Sequence, residues 1–556
     1  MALEIGRHKK DPYFFMRNTR VRSLLVGLVV ILIPILYASL PLFQKNFIPT
    51  HDGEYHIIRF AEFYSMLHAG YLFPRWAPHL NSGYGVPLFN FHYPFPNYVG
   101  SILHVFGWSF VDSFKVALAL AYIFGCIGCF LWLRKLFRPF PALIGTIVFS
   151  FIPYWFVDIY VRGAIGEVWA FTFLIAAFIS VEYAKPRLLA VCFGLLILSH
   201  NISAMIISPI LLGYVLLRNR SYVWSLCLGF ILAAYFWLPA LFEKNFVTGL
   251  NSVDFRDHFP MLFQLIIPSW GTGFSVQGHT YDELSFQIGF IPLIILFWSP
   301  FVFRREKEVF KKRLYLLFSA ACIGAVFLML DPSQWIWEHI PFFPFIQYPW
   351  RLLSIFLPSV AFIAAWVASR VKWKWIRVGL AIAAILFSLS YIRPVQYEPR
   401  TDAHYLSRKE FTDGTSSLGN TFSTIWSTWK KQKGKDKVEV VSGSAKISAS
   451  SFTLLDYTFT VQADISSVVR VNTLYYPGWT VDVDRKEVRV DYKKDGTMLF
   501  SVPSGAHAIH VYFVETRLRK IADAISFFGL FWLIGSAILD WRYAYRNRNI
   551  IPSKRS

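Results

Sequence analysis

The run "NYVGSILHVFGWSF", residues 97–110, decides how this chain is threaded. It is apolar, with His104 in its middle, and short against the roughly 20 residues that a spanning helix needs. If it spans, "RKLFR" at 134–138 falls outside and every later loop inverts. If it lies in the interface, one side receives all the basic loops. These are 1–22, 134–138, "KPR" at 185–187, "RNR" at 218–220, "RREKEVFKKR" at 304–313, "RVKWKWIR" at 370–377 and the tail from Arg542. Cytoplasmic loops of membrane proteins carry the excess of Lys and Arg. The second reading obeys that bias throughout, so 97–110 is expected to be an interfacial helix and both termini cytoplasmic.

Working outward, apolar runs recur at 21–43, 113–134, 139–158, 166–184, 187–200, 202–217, 222–241, 286–303, 313–330, 350–369, 374–391 and 520–541. They predict a polytopic α-helical membrane protein of about twelve transmembrane helices. Composition agrees: 55% of the 556 residues are hydrophobic and only 16% charged, where a soluble domain carries about a quarter. The formal charge of +21 is not a nucleic-acid signature, because about half of the Lys and Arg lie in the loops assigned to the cytoplasm. Cys126, Cys129, Cys192, Cys227 and Cys322 all fall inside apolar runs. "CIGC" has a metal-like spacing but no second Cys or His pair, so the cysteines read as small core residues. The basic start and the long run after it read as a retained signal-anchor helix.

This threading places 44–112, 158–166, 242–285, 331–349 and 392–516 on the outer face. The domain plan is a membrane domain over 1–391 with its first outer loop at 44–112, a linker at 392–437, an extracytoplasmic all-β sandwich at 438–516, and a final helix with a basic tail at 517–556. From 438 onward, segments such as "FTLLDYTFTVQAD" and "VVRVNTLYY" alternate with period two. Turn signals separate them, which predicts about eight short antiparallel strands. The short runs 187–200 and 202–217 meet at "SHN" and predict a helical hairpin dipping from the outer surface.

The candidate chemistry gathers at the outer boundary. After "HDGEY", Ile57, Phe60, Ala61, Tyr64 and Leu67 recur at helical spacing, predicting a helix on the membrane surface. Asp52 stands just before it, with Glu54, His51 and His56 close by. A carboxylate here could act as a general base toward a hydroxyl, ligate a divalent cation such as Mg or Mn together with Glu54, or simply cap the helix. Arg162 and Glu167 share a turn, His200 sits at a hairpin tip and Arg351 begins a span. Ionisable groups at membrane depth are costly and point to function, with salt-bridge pairing as the plain alternative. Arginines facing one cavity would suit a phosphate. Glu167, His56, Arg75, Trp76, Tyr93 and His279 are candidates to line the substrate groove, although interfacial aromatics are also an ordinary belt.

Here a family likeness appears. "HDGEYHIIRFAEFYSMLHAGYLFPRWAPHLNSGYGVPLFNFHYP", then "YVRGAIGE", "LSHNISA", "SWGTGFS", "YPWRLL" and "LYYPGWTVDVD" resemble, in order, the YfhO-like or "6-pyruvoyl-tetrahydropterin synthase-related" bacterial membrane proteins of the GT-C glycosyltransferase superfamily. The family's "DGK" turn reads "DRK" here at 484–486. The resemblance implies a GT-C fold and an inverting transferase. It would move a sugar from a polyprenyl-phosphate donor to an envelope glycan, lipid or protein on the outer face of the plasma membrane. An acid of the first outer loop would be the base: Asp52, with Glu54 the second acid. Arg351, His200 and Arg162 would stabilise the leaving phosphate. The competing classes are a lipid or polysaccharide transporter or flippase, in which inverted repeats are expected and none is evident, and a non-catalytic envelope scaffold.

Overall fold

The computed structural model describes residues 12–249, 253–407, 420–427 and 434–550. The basic start at 1–11, much of the predicted linker and the end of the basic tail therefore lie outside the described residues. Among the described residues, eight helices are long and apolar enough to cross a membrane, or ten if two bent pairs each count once. The bends are 45° between Pro139–Ser150 and Pro153–Arg162, and 65° between Arg220–Leu232 and Ala234–Phe242. Twelve spans are expected from sequence; the other two runs form helices of 14 residues each, Pro186–Ser199 and Phe290–Phe303. At 1.5 Å per residue each is about 21 Å long, short of a hydrocarbon core of about 30 Å. The deciding run folds as an 11-residue helix, Phe95–Val105, shorter still.

The predicted surface helix spans Gly53–His68, but it does not lie bare on a membrane. His56 through Phe63 are all buried. The loop after it folds back: Glu62 accepts from the His79 backbone N–H (3.2 Å) and contacts its Nδ1 (2.9 Å), and Phe63 meets Phe89 edge-on at 5.0 Å. Period-3.6 spacing reports one apolar face and cannot report a loop that covers the others.

The basic loops cluster at one end of the bundle. Lys135 lies over Tyr183, Lys311 over Phe137 and Arg218 over Phe310 (3.9, 5.3 and 5.0 Å), while Arg218 pairs with Glu182 and Arg187 with Asp540. Such gathering requires the strict alternation of helix direction that the loop charges imply. Lys135→Cys, in a background with the exposed Cys227 replaced by Ser, is expected to label only from the cytoplasm. Labelling of intact cells by an impermeant thiol reagent would contradict this threading.

The β-domain holds eight strands in two antiparallel sheets. One runs Ala445–Phe452, Asp456–Ala463, Gly505–Phe513, Trp479–Val483, Lys486–Glu487; the other runs Val438–Ser442, Ser467–Leu474, Thr497–Val502. The period-two alternation shows in one strand as the burial of every second residue, Tyr457, Phe459, Val461 and Ala463. At "DRK" the hairpin stays tight, with Val483 facing Lys486. Asp484 and Arg485 both adopt positive φ, 52° and 66°, the primed-turn geometry that usually recruits glycine.

The sandwich docks on the Asp52 end. Leu474 N–H donates to the Tyr84 carbonyl at 2.9 Å, and Trp76 packs against Trp479 and Phe513. Below, buried Glu243 accepts from Asn90 (2.8 Å), Tyr476 (2.7 Å) and Arg519 (3.0 Å). One carboxylate thus joins the first loop, the bent helix pair, the sandwich and the last helix. Part of the predicted linker is also firmly placed. Asp402 accepts from the Phe110 and Val111 backbone N–H groups, at 2.8 and 3.1 Å, and so caps Phe110–Leu136 from a distance in sequence.

Candidate functional site

Asp52 is delivered by three local features. Its backbone N–H donates to the Arg162 carbonyl at 2.8 Å, and that of His51 to the Val161 carbonyl at 3.0 Å. Both carbonyls belong to a single π-helical turn, Val157–Arg162, a form of turn that concentrates at functional sites. Gly163 then closes the turn with φ 66°, and a Cβ there would sit 2.3 Å from Thr50 Oγ1, so only glycine lets the two segments meet. Thr50 Oγ1 in turn accepts from the Gly53 N–H at 3.1 Å.

Asp52 occupies the N-cap position without acting as a cap: its side chain makes no cap hydrogen bond. Thr50 meets that need instead. Among the described residues the Asp52 carboxylate takes no hydrogen bond and no ion pair, and it is only half-buried. The carboxylate is thus held in place through its backbone alone.

Glu54 turns elsewhere. It forms an ion pair with Arg400, which also pairs with Glu398. The two acids that the sequence brackets together are therefore held by different partners. Among the described residues no group of three or more His, Cys, Asp or Glu has metal-site geometry.

Beneath Asp52 lies a buried charged cluster. Arg162 bridges Asp158 and Glu167, the latter at 2.6 Å. Arg351 Nε approaches the same Glu167 oxygen at 3.2 Å, and Tyr154 donates to the other oxygen at 3.0 Å. Two guanidinium groups and two carboxylates balance to zero formal charge, which is how such a set can be buried. Arg162 spends both its terminal nitrogens on acids and also lies 4.7 Å from the Trp350 ring centroid. Arg351 donates through Nη1 to the Ile346 carbonyl (2.9 Å) and Gln347 Oε1 (2.8 Å). Its Nη2 takes no partner among the described residues.

His200 enters through Tyr93, whose ring meets it edge-on at 5.0 Å. The close fit depends on Gly166, where a Cβ would lie 2.5 Å from Tyr93 and 2.6 Å from the Ser199 carbonyl. His200 caps the following helix, its Nδ1 accepting from the Ser203 N–H at 3.1 Å. The proton of the neutral ring then sits on Nε2, which has no partner among the described residues. Three polar groups in this network are thus open: the Asp52 carboxylate, Arg351 Nη2 and His200 Nε2–H; Asp158 Oδ2 also lacks a hydrogen bond but is buried within the cluster.

His56 and His92 pack beside Tyr93 at 6.3 and 4.1 Å. Burial pushes both imidazoles well below 6.5, reinforced by the Arg59 guanidinium, which contacts His92 Nε2 at 3.1 Å. In the unfolded chain both protonate near the ordinary value, so below it the unfolded state binds more protons. Stability is expected to be full above about pH 6.5 and to fall progressively as pH drops below it. His56→Phe should flatten the pH dependence of the thermal midpoint, because His56 makes no hydrogen bond that Phe would lose; an unchanged slope would contradict this.

Of the residues singled out from sequence, Asp52, Arg162, Glu167, His200, Arg351, Tyr93 and His56 come together. Others do not. Arg75 bonds the Tyr235 carbonyl (2.8 Å) and Asp523 (2.9 Å), and Trp76 is buried under the sandwich, so both fasten the first loop to its neighbours. His279 is exposed outside the cluster, its carbonyl accepting from Gln264. Sequence reasoning missed Asp158, Tyr154, Arg59 and His92. The lone acid inside "YWFVDIYVRG", four residues before Arg162, was the available signal.

These features define a many-helix protein with spans of membrane length, a sandwich docked at one end and a neutralised charged cluster beneath a free carboxylate. No family model matches the chain. An uncharacterized protein of Lactococcus lactis is 23% identical over 339 residues, covering 55% of this chain and 54% of the relative, so the chain spans about half the length of that relative. Among solved structures, arabinofuranosyltransferase AftD from mycobacteria superposes with a TM-score of 0.41 and 16% identity, over 67% of this chain and 27% of that one. The oligosaccharyltransferase of Archaeoglobus fulgidus gives 0.39 and 14%, over 67% and 55%. Superpositions this loose carry no argument about activity.

Proposed function

We propose that the chain is a membrane glycosyltransferase that moves a sugar from a polyprenyl-phosphate donor to an envelope acceptor at the Asp52 end. The observation that carries this reading is the set of three open groups, one acceptor and two donors, above a buried cluster whose formal charges balance. The Asp52 carboxylate takes the proton of the acceptor hydroxyl as that oxygen attacks the anomeric carbon. The bond from that carbon to the phosphate oxygen breaks, and the phosphate departs with its electron pair toward Arg351 Nη2 and His200 Nε2–H. Attack opposite the leaving group inverts the anomeric centre. The motif order of the first outer loop supports the same assignment.

Arg162 is better read as the residue that positions Glu167 than as a phosphate ligand, because both its terminal nitrogens are engaged. Glu54, paired with Arg400, is a support to the first loop. Arg351→Ala is expected to raise the donor KM and lower kcat together, since it removes charge that acts on phosphate in both ground and transition states. A change in kcat alone would remove the arginine from donor binding. The reading itself is tested by incubating the purified protein with a panel of radiolabelled polyprenyl-phosphate sugars and envelope extract. Transfer of label from lipid to acceptor supports it. Protein-dependent movement of intact donor across vesicles, without transfer, would favour a flippase.

A further inference from the structure

We infer that the basic end of the bundle holds a binding site for an anionic glycerophospholipid, in a cleft between Asn201–Arg218 and Val309–Met329. The cleft has a volume of about 620 Å³ and lies at the opposite end from Asp52. Leu216, Leu217, Leu316 and Leu317 form its walls, Gly213 lies between them, and Arg220 and Arg313 stand at its rim. Gly213 admits the opposite helix closely, since a Cβ there would come 2.8 Å from Leu317.

The two arginines differ from four ion-paired cations at the same end. Arg218 is paired with Glu182, Arg187 with Asp540, Lys311 with Glu308 and Arg370 with Glu306. Arg220 and Arg313 are exposed, and among the described residues their side chains take no hydrogen bond or ion pair. These acids are thus matched to other cations, and the two charged residues that line the apolar cleft, Arg220 and Arg313, keep their positive charge unmatched.

That pairing of surfaces selects the occupant. Free phosphate would gain nothing from four leucines. A zwitterionic lipid would bring its own ammonium against the arginines. An anionic glycerophospholipid satisfies both parts: its phosphate lies between the guanidinium forks, and its chains follow the leucine walls. The chains then continue along exposed Leu212 and Ile323. Basic pockets between membrane helices are a recognised setting for anionic headgroups. This site is independent of the transfer reaction proposed above.

The test uses the full chain in mild detergent, with lipid retention read by native mass spectrometry against phosphatidylglycerol and phosphatidylcholine. The unsubstituted protein should retain phosphatidylglycerol and release phosphatidylcholine. Arg220→Gln with Arg313→Gln should weaken that binding about 30-fold, from the contribution of each arginine near an anionic lipid. Arg304→Gln with Arg305→Gln, which removes equal charge outside the cleft, should leave it unchanged. Leu216→Trp fills the cleft without altering charge and should also abolish retention, giving a second arm if the double variant does not fold. Equal binding of phosphatidylglycerol by the protein and the Arg220/Arg313 variant would overturn the proposal. So would equal retention of phosphatidylcholine, or preferential capture of a polyprenyl phosphate in this cleft.

Discussion

Asp52→Asn is expected to lower turnover by at least about two orders of magnitude, within the 10²–10⁴-fold range typical of a general base, while leaving the thermal midpoint nearly unchanged. The two halves of this expectation rest on separate observations. The loss follows because an amide cannot accept the acceptor's proton. The unchanged stability follows because the side chain takes no hydrogen bond or ion pair among the described residues, and because Thr50, not Asp52, satisfies the start of the helix. A variant that stays active at equal expression removes Asp52 from catalysis. One that loses activity only by unfolding makes it a structural residue.

Glu167→Gln should behave in the opposite way. Glu167 is the one carboxylate that Arg162, Arg351 and Tyr154 all share. Without its charge, two buried guanidinium groups face Asp158 alone, and breaking a buried pair in this manner typically destabilises by about 3–5 kcal/mol. The variant is expected to show a clearly lowered thermal midpoint in detergent, with activity lost as a consequence. Retained stability would mean that water reaches the cluster and that its charges are not balanced within the protein. Set side by side, the two substitutions separate the residue that reacts from the residue that holds the site together.

Much of the architecture was legible because it is written in local periodicity. Apolar runs of membrane length became helices, alternation from 438 onward became two sheets, and the charge of the loops foretold which ends cluster. The bends were less visible. The break at Phe151–Ile152 and the 65° turn beside Ala233 interrupt apolar runs that look continuous in hydropathy. The polar residues at the Asp52 end were legible as a group, since burying ionisable side chains is costly and their presence asks for a reason. Their division of labour was not. Asp52 and Glu54 are two residues apart, yet one is open and the other is bound to Arg400.

The contacts that decide such questions join distant parts of the chain. Arg75 meets Asp523 across 448 positions, and Arg519 meets Glu243 across 276. No spacing rule encodes pairs of that kind. Arg75 and Trp76 therefore looked like groove residues from their neighbours in sequence, when their partners are the sandwich and the last helix. Asp158 was overlooked for the converse reason: it is hidden in an apolar run and matters only through Arg162.

Electron microscopy of the Asp52→Asn protein with a bound polyprenyl-phosphate sugar tests the central claim most directly. The weakened base should let the donor persist. The expected result is a lipid phosphate against Arg351 Nη2 and His200 Nε2, with the anomeric carbon of the sugar turned toward position 52. A donor phosphate bound away from both groups, or a sugar facing away from position 52, would contradict the assignment.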